Sequence, residues 1–438
     1  SAMLDGFTIS GGNANGASPD DRGGGMYNTQ SSPTLTNVSF GYNRAYTNGG
    51  AMYNNNNSNP IVKNAIMWDD TYNESKEICN DVDSTPQIYY SDIQGCGGSG
   101  SSWVSTCGTD GGGNINAYPG FVDPSNGNLR LNIASQAIDA GNNADVPSEI
   151  TTDLDGNPRV VHGTVDMGAY EFQQSNYIYR VIPDGASSGN CGYDWGHGCD
   201  LQYALVTKSL SGDELWVETG TYTTTTTTDR TVSFVLKDGV PLYGGFAGTE
   251  TSREQRDWET NITTLSGDIG AAGDISDNSY HVVTSSGVDS SVVLDGFTIS
   301  GGNANGSSPD NSGGGLYNDQ GSLTLANITF SSNAATYGGG MYNASYNETM
   351  TNITFSSNAA THGGGMYNDN SSPTLENGTF SGNQASLGGG MFNYDNSRPA
   401  LTNMSFTGNS ATSYGGGMYN EKSSPALENG TFSGNDAS

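Results

Sequence analysis

The chain has 438 residues, 45 of them acidic and 14 basic, for a formal net charge of −31. Phosphate recognition needs clustered Lys and Arg, so this balance argues against nucleic acid and anionic lipid as partners. Only 33 % of residues are hydrophobic and 64 are Gly, a composition that would suit disorder if Leu, Phe, Met and Tyr did not return at fixed spacing. No apolar run approaches the roughly 20 residues a membrane span needs.

Residues 4–16 open the chain with a segment that returns letter for letter at 294–306. A shorter period runs inside this one. Gly-Gly-Gly-Met-Tyr-Asn or a close variant places its apolar residue at Met26, Met52, Leu316, Met341, Met366, Met391 and Met418. Between these motifs Phe-x-x-Asn begins at Phe40, Phe330, Phe355, Phe380, Phe406 and Phe432. A period of this size means one structural unit stacked on copies of itself. Each apolar patch has strand length, and Gly, Asn, Ser and Pro separate the patches. Stacked in register, Leu375, Phe380 and Met391 should form internal apolar ladders, and Asn383 and Asn393 should form amide ladders at the turns. In each Met-Tyr-Asn the alternation predicts Met inward, Tyr outward and Asn inward. The glycine triplets suit sharp bends with positive φ. The expected fold is all-β: a right-handed parallel β-helix of about 25 residues per coil, with two such segments in tandem.

Residues 115–172 leave the period and read as a closing region. Residues 191–243 read as an opening, with Asp200 capping a short helix that carries Leu201, Ala204 and Leu205 on one face. Asp213–Val217 and Thr231–Leu236 then read as strands. The expected domains are 1–175, the later part of one β-helix with its closing region, and 176–438, the opening and coils of a second, homologous at an offset of 290. On this reading the chain enters one β-helix already under way at Leu4 and leaves the other without a closing segment at Ser438. Ser1-Ala2-Met3 looks like a cloning scar or an arbitrary start, which leaves room for a leader upstream. Open ends of this kind expose strand edges, so self-association through them, head to tail into filaments, or through the junction between units, is an expected behaviour.

Five cysteines are present, and four fall in tight pairs within Gly-rich loops. Cys96 with Cys107 and Cys191 with Cys199 are expected disulfides, which implies an oxidising, extracellular or cell-surface setting. Cys79 is left over. Asp153, Asp155 and Asn157 alternate as calcium-loop ligands do, as a weak metal candidate beside ordinary Asx-turn chemistry; Asp268, Asp274 and Asp277 form another acidic loop. No other cofactor is implied. His162, His197, His281 and His362 show no ligand spacing and read as loop or surface residues. Asn37, Asn73, Asn261, Asn327, Asn352, Asn377, Asn403 and Asn429 each head Asn-x-Ser/Thr, which the repeat itself explains.

Phe-x-x-Asn alternating with Gly-Gly-[Ala/Gly]-[Met/Leu] resembles the repeats of chlamydial polymorphic outer-membrane proteins and of many secreted bacterial right-handed parallel β-helix proteins. The segments 212–222 and 243–258 look like the N-terminal part of the latter. The segments 137–141, 153–159 and 165–171 look like the closing region often placed before varied C-terminal surface anchors. The resemblance implies a secreted or surface-displayed bacterial protein, often large and adhesive, and brings no catalytic residue with it. A non-enzymatic extracellular structural or adhesive role is therefore expected, with host-cell or matrix glycans as candidate partners. The alternative is a pectinase-like glycosidase or lyase on the same fold. A glycosidase needs facing carboxylates and a lyase needs a base. Between Phe330 and Ser438 the basic side chains besides His362 are only Arg398 and Lys422, and no catalytic residue is assigned.

Overall fold

The structure, a computed structural model, describes residues 2–70, 77–173, 176–345 and 347–438. The chain divides into two compact units, one of residues 1–174 with 188–193 and the other of 175–187 with 194–438. Each is a parallel β-helix, with the right-handed winding to which parallel strand connections are almost confined.

In the first unit, Met3–Asp5, Thr34–Thr36, Ile61–Lys63, Gln87–Tyr89 and Thr109–Asp110 stack into one parallel sheet. Thr8–Ser10, Ser39–Gly41, Ile66–Trp68 and Asp92–Ile93 form a second, and Met26–Thr29, Met52–Asn55 and Ile78–Asn80 a third. Leu35, Phe40, Met52 and Val62 fill the tube. The region read as closing contains an antiparallel hairpin of Phe121–Asp123 with Asn128–Leu131. Its Phe121, Leu129, Leu131, Met167 and Ala169 pack over Ile66 and Trp68, which point out of the tube. Arg159 is fully buried there and donates to the carbonyls of Asp166 and Gly168.

The second unit begins at the strand Ile178–Ala186, which pairs with Glu214–Glu218. Asp200 caps Leu201–Tyr203 by accepting from the Tyr203 N–H, and the helix continues as a π-turn over Ala204–Lys208 with Leu201, Ala204 and Leu205 buried. The strand expected over residues 231–236 shortens to Phe234–Val235. Asp229, two residues before that run, accepts both the N–H and the hydroxyl of Thr231 and folds it into a turn.

Beyond this opening, every coil repeats one cross-section. Thr349–Ser356, Ala359–His362 and Met366–Asp369 make one turn, and each pairs in register with Thr374–Ser381, Gln384–Leu387 and Met391–Tyr394 of the next. The expected interior is the observed one: Leu375, Phe380 and Met391 are buried. The Phe rings form a continuous stack from Phe330 through Phe355, Phe380 and Phe406 to Phe432, with centroids 4.8, 4.6, 4.7 and 4.6 Å apart. Asn358 donates to Asn383, which donates to Asn409, and each side-chain amide also reaches a backbone carbonyl inside the turn. A second amide ladder runs Asn368, Asn393, Asn420.

The bends rest on left-handed residues. One coil turns at Ser345, Asn352, Ser357 and Gly363, and the next at Asn370, Asn377, Gly382 and Gly388. The expectation that the whole glycine triplet needs positive φ is corrected: only the first Gly of the triplet 363–365 has it. The second and third are glycine because the neighbouring coil is too close. A Cβ on Gly364 would lie 2.5 Å from the carbonyl oxygens of both Gln384 and Gly389.

Candidate functional site: an aromatic groove on the second unit

Alternation sends the Tyr of each Met-Tyr-Asn outward, and in-register stacking makes a column of Tyr317, Tyr342, Tyr367, Phe392 and Tyr419. Neighbouring rings lie 5.5, 5.5, 4.9 and 5.1 Å apart, with planes within 19° of parallel. Centroid spacings longer than ring-to-ring contact mean that the stacked rings are offset; Tyr317, Tyr342 and Tyr419 stay half-buried, while Tyr367 and Phe392 are buried between their neighbours. Across the glycine corner a second column consists of the residue just before each triplet: Tyr337, His362, Leu387 and Tyr414. Tyr337 meets Tyr367 edge to face at 5.4 Å, and His362 meets Phe392 likewise at 5.6 Å.

The corner between the two columns is a groove of about 520 Å³. Asp369, Tyr394 and Glu421 form its rim, and no Lys or Arg lines it among the described residues. Tyr342 donates its phenol to Asp369 Oδ2 at 3.2 Å. Burial, with help from Asp369, pushes the phenols of Tyr342 and Tyr367 far up, so both stay protonated. Burial also raises the Asp369 carboxyl against the opposing hydrogen bond from Tyr342. His362 is pushed down by burial, and its Nδ1 has no hydrogen-bond partner among the described residues. At neutral pH the groove is a strip of neutral hydroxyls, ring edges and one imidazole, edged with carboxylates.

Residues singled out in the sequence lie elsewhere. Cys96 and Cys107 are bridged, with Cα atoms 5.9 Å apart; Cys191 and Cys199 are both disulfide-bonded, and Cys79 is half-buried in the strand Ile78–Asn80. Asp153 accepts the N–H groups of Asp155, Asn157 and Glu171, and Asp155 is paired with Arg130, so the oxygens of this loop are engaged by the protein itself. Asp268, Asp274 and Asp277 likewise accept from their own loop, at Gly273, Ser276 and Ala271. Among the described residues no cluster of three His, Cys, Asp or Glu is placed to hold a metal. Of the four histidines read as loop or surface residues, His162 and His281 lie in loops but are buried, and His362 ends the strand Ala359–His362 and lines the groove. The Asn-x-Ser/Thr positions 37, 327, 352, 377, 403 and 429 are left-handed bends, the role Asn tolerates best after Gly. Asn73 falls outside the described residues.

Sequence reasoning found the Tyr column but not the groove. The second column escaped notice because its members differ in type. Their shared place, directly before a glycine triplet, was the available signal.

No family model matches the chain, and no curated protein matches it. Among solved structures it is similar to pectate lyase Pel9A, at 14 % identity and a TM-score of 0.36, over 53 % of this chain and 54 % of that one. It is also similar to AlyGC, an alginate lyase of the PL6 family, at 11 % identity and a TM-score of 0.25, over 94 % of this chain and 69 % of that one. The chain thus spans about half the length of the pectate lyase. Likeness at this level carries no argument about activity.

Proposed function

We propose that this chain is a non-enzymatic extracellular β-helix, a stiff spacer whose repeated surface holds extended glycan chains along the aromatic groove. The observation that carries the reading is the groove itself: ring edges and phenols repeat about every 5 Å along the tube, suited to a ligand that repeats along its length. Protonated phenols donate to and accept from sugar hydroxyls, and ring edges cover the apolar faces between them. The disulfides favour an oxidising compartment outside the cytosol.

The test pairs retention with turnover. The purified chain is mixed with insoluble and soluble polysaccharides, and both bound protein and new reducing or unsaturated ends are measured. Retention without product, lost on Tyr342→Ala, is the expected result. Product formation abolished by Asp369→Asn would establish the lyase or glycosidase alternative instead.

A further inference from the structure

Beside the ring column, the next outward column of the same sheet reads Asp319, Ala344, Asp369, Tyr394, Glu421. A carboxylate therefore stands in every second coil. With coils about 4.8 Å apart, like charges recur about every 10 Å along the groove. In an extended β-1,4-linked sugar chain successive residues are flipped, so equivalent substituents face the same side once per two sugars, at close to this interval. Glu421 and Asp369 line the groove, and Asp319 continues their column one step beyond it.

The charge of the partner follows from the same residues. A polyuronate would bring its carboxylates against these, with no Lys or Arg in the lining among the described residues and Lys422, against Tyr394 at the rim, as the cation beside it. An ammonium group would find a carboxylate beside aromatic rings, and the chain supplies its own example: the Lys422 Nζ lies 5.9 Å from the ring centroid of Tyr394, on the groove rim. We infer that the groove takes a β-1,4-linked chain of amino sugars with free amino groups, its ammonium groups meeting Asp369 and Glu421 in alternate coils. This inference rests on the reading of the groove as a glycan site.

The experiment is calorimetric titration of the whole chain with four hexasaccharides at physiological salt: hexaglucosamine, its fully N-acetylated form, cellohexaose and oligogalacturonate. The expected result is about tenfold tighter binding of hexaglucosamine than of the two neutral chains, the scale of one hydrogen bond to a charged group, with no binding of the galacturonate. Asp369→Asn should remove that tenfold preference and leave the neutral chains unaffected. Glu376→Gln, a charge change on the exposed face of another sheet, should leave every affinity unchanged. Equal affinity for amine and neutral chains overturns the inference while the glycan site stands. A loss with Glu376→Gln as large as with Asp369→Asn also overturns it, since the attraction would then be general. Failure of every hexasaccharide to bind overturns the glycan site, and the inference with it. Thermal melts matched to the parent chain show that the variants are folded.

Discussion

At the scale of single residues, the tube is held by buried polar groups whose hydrogen bonds are satisfied by the next coil. Asn383 accepts from both the N–H and the side chain of Asn358, and donates to the Phe355 carbonyl and to Asn409. Replacing it by Ala strands several buried partners, so Asn383→Ala should destabilise by about 2–4 kcal/mol, whereas Asn352→Gly, which removes an exposed ladder bond but keeps the left-handed bend, should cost less than about 1 kcal/mol. Denaturant titration with hydrogen exchange at the Phe355 and Asn409 coils checks both. Buried carboxylates give the second residue-level expectation. Burial pushes Asp92 up to about 7, and only the Ala117 N–H opposes it. The unfolded carboxyl titrates near 4, so above that pH the unfolded chain gives up a proton that the folded chain keeps. The contribution of Asp92 is therefore fully present below about pH 4, falls by about 1.4 kcal/mol per pH unit as pH rises toward 7, and is constant above. Glu348, pushed up to about 8 by burial, acts in the same direction in the second unit. Melting temperature should fall from pH 5 to pH 8, and Asp92→Asn should stabilise at pH 8 and flatten part of that slope. A melting temperature that rises over this interval in both chains would contradict the assignment.

At the scale of the element, one coil, glycine has two separate jobs, and substitution distinguishes them. Gly364 is confined by its neighbours: its Cβ would sit 2.5 Å from two carbonyl oxygens of the coil above. Gly364→Ala must push coils apart and should cost about 2 kcal/mol or more. Gly382 has positive φ, yet its equivalents Ser332 and Ser357 hold the same conformation with a side chain. Gly382→Ser should therefore cost about 1 kcal/mol at most. Thermal denaturation of the two variants side by side measures the contrast. Equal losses would mean that backbone dihedral preference governs both corners.

At the scale of the whole molecule, stability is a sum over coils and their interfaces, so unfolding need not be a single step. The Cys96–Cys107 bridge closes a loop of eleven residues whose Trp103 indole donates to the Gly108 carbonyl. Replacing both cysteines, Cys96→Ser with Cys107→Ser, should cost the first unit about 2–3 kcal/mol and lower the first melting transition. In calorimetry the transition of the second unit's repeating coils should stay in place. A uniform downward shift of all transitions would show the units to be coupled instead.

How much of this was legible depends on the range of the interaction. Met391, Phe380 and Asn383 announce their places because stacking in register puts like above like, and a single coil already fixes which residue points inward. Fold class, coil length, both amide ladders and the outward Tyr column are therefore local facts repeated along the chain. The groove is different. Tyr337 and Tyr367 are thirty residues apart, and they meet only because the glycine corner turns one column to face the other. Likewise His281 reads as a loop residue, but its Nδ1 lies 3.1 Å from the Gly313 carbonyl of the next coil, beneath Tyr317. The period, and hence the tube, is written in each repeat, since an apolar residue recurring once per coil is buried by stacking the coils. Which side chains converge outside the tube was decided by tertiary structure, because the angle of a corner depends on how closely two backbones approach, and no single repeat contains that distance.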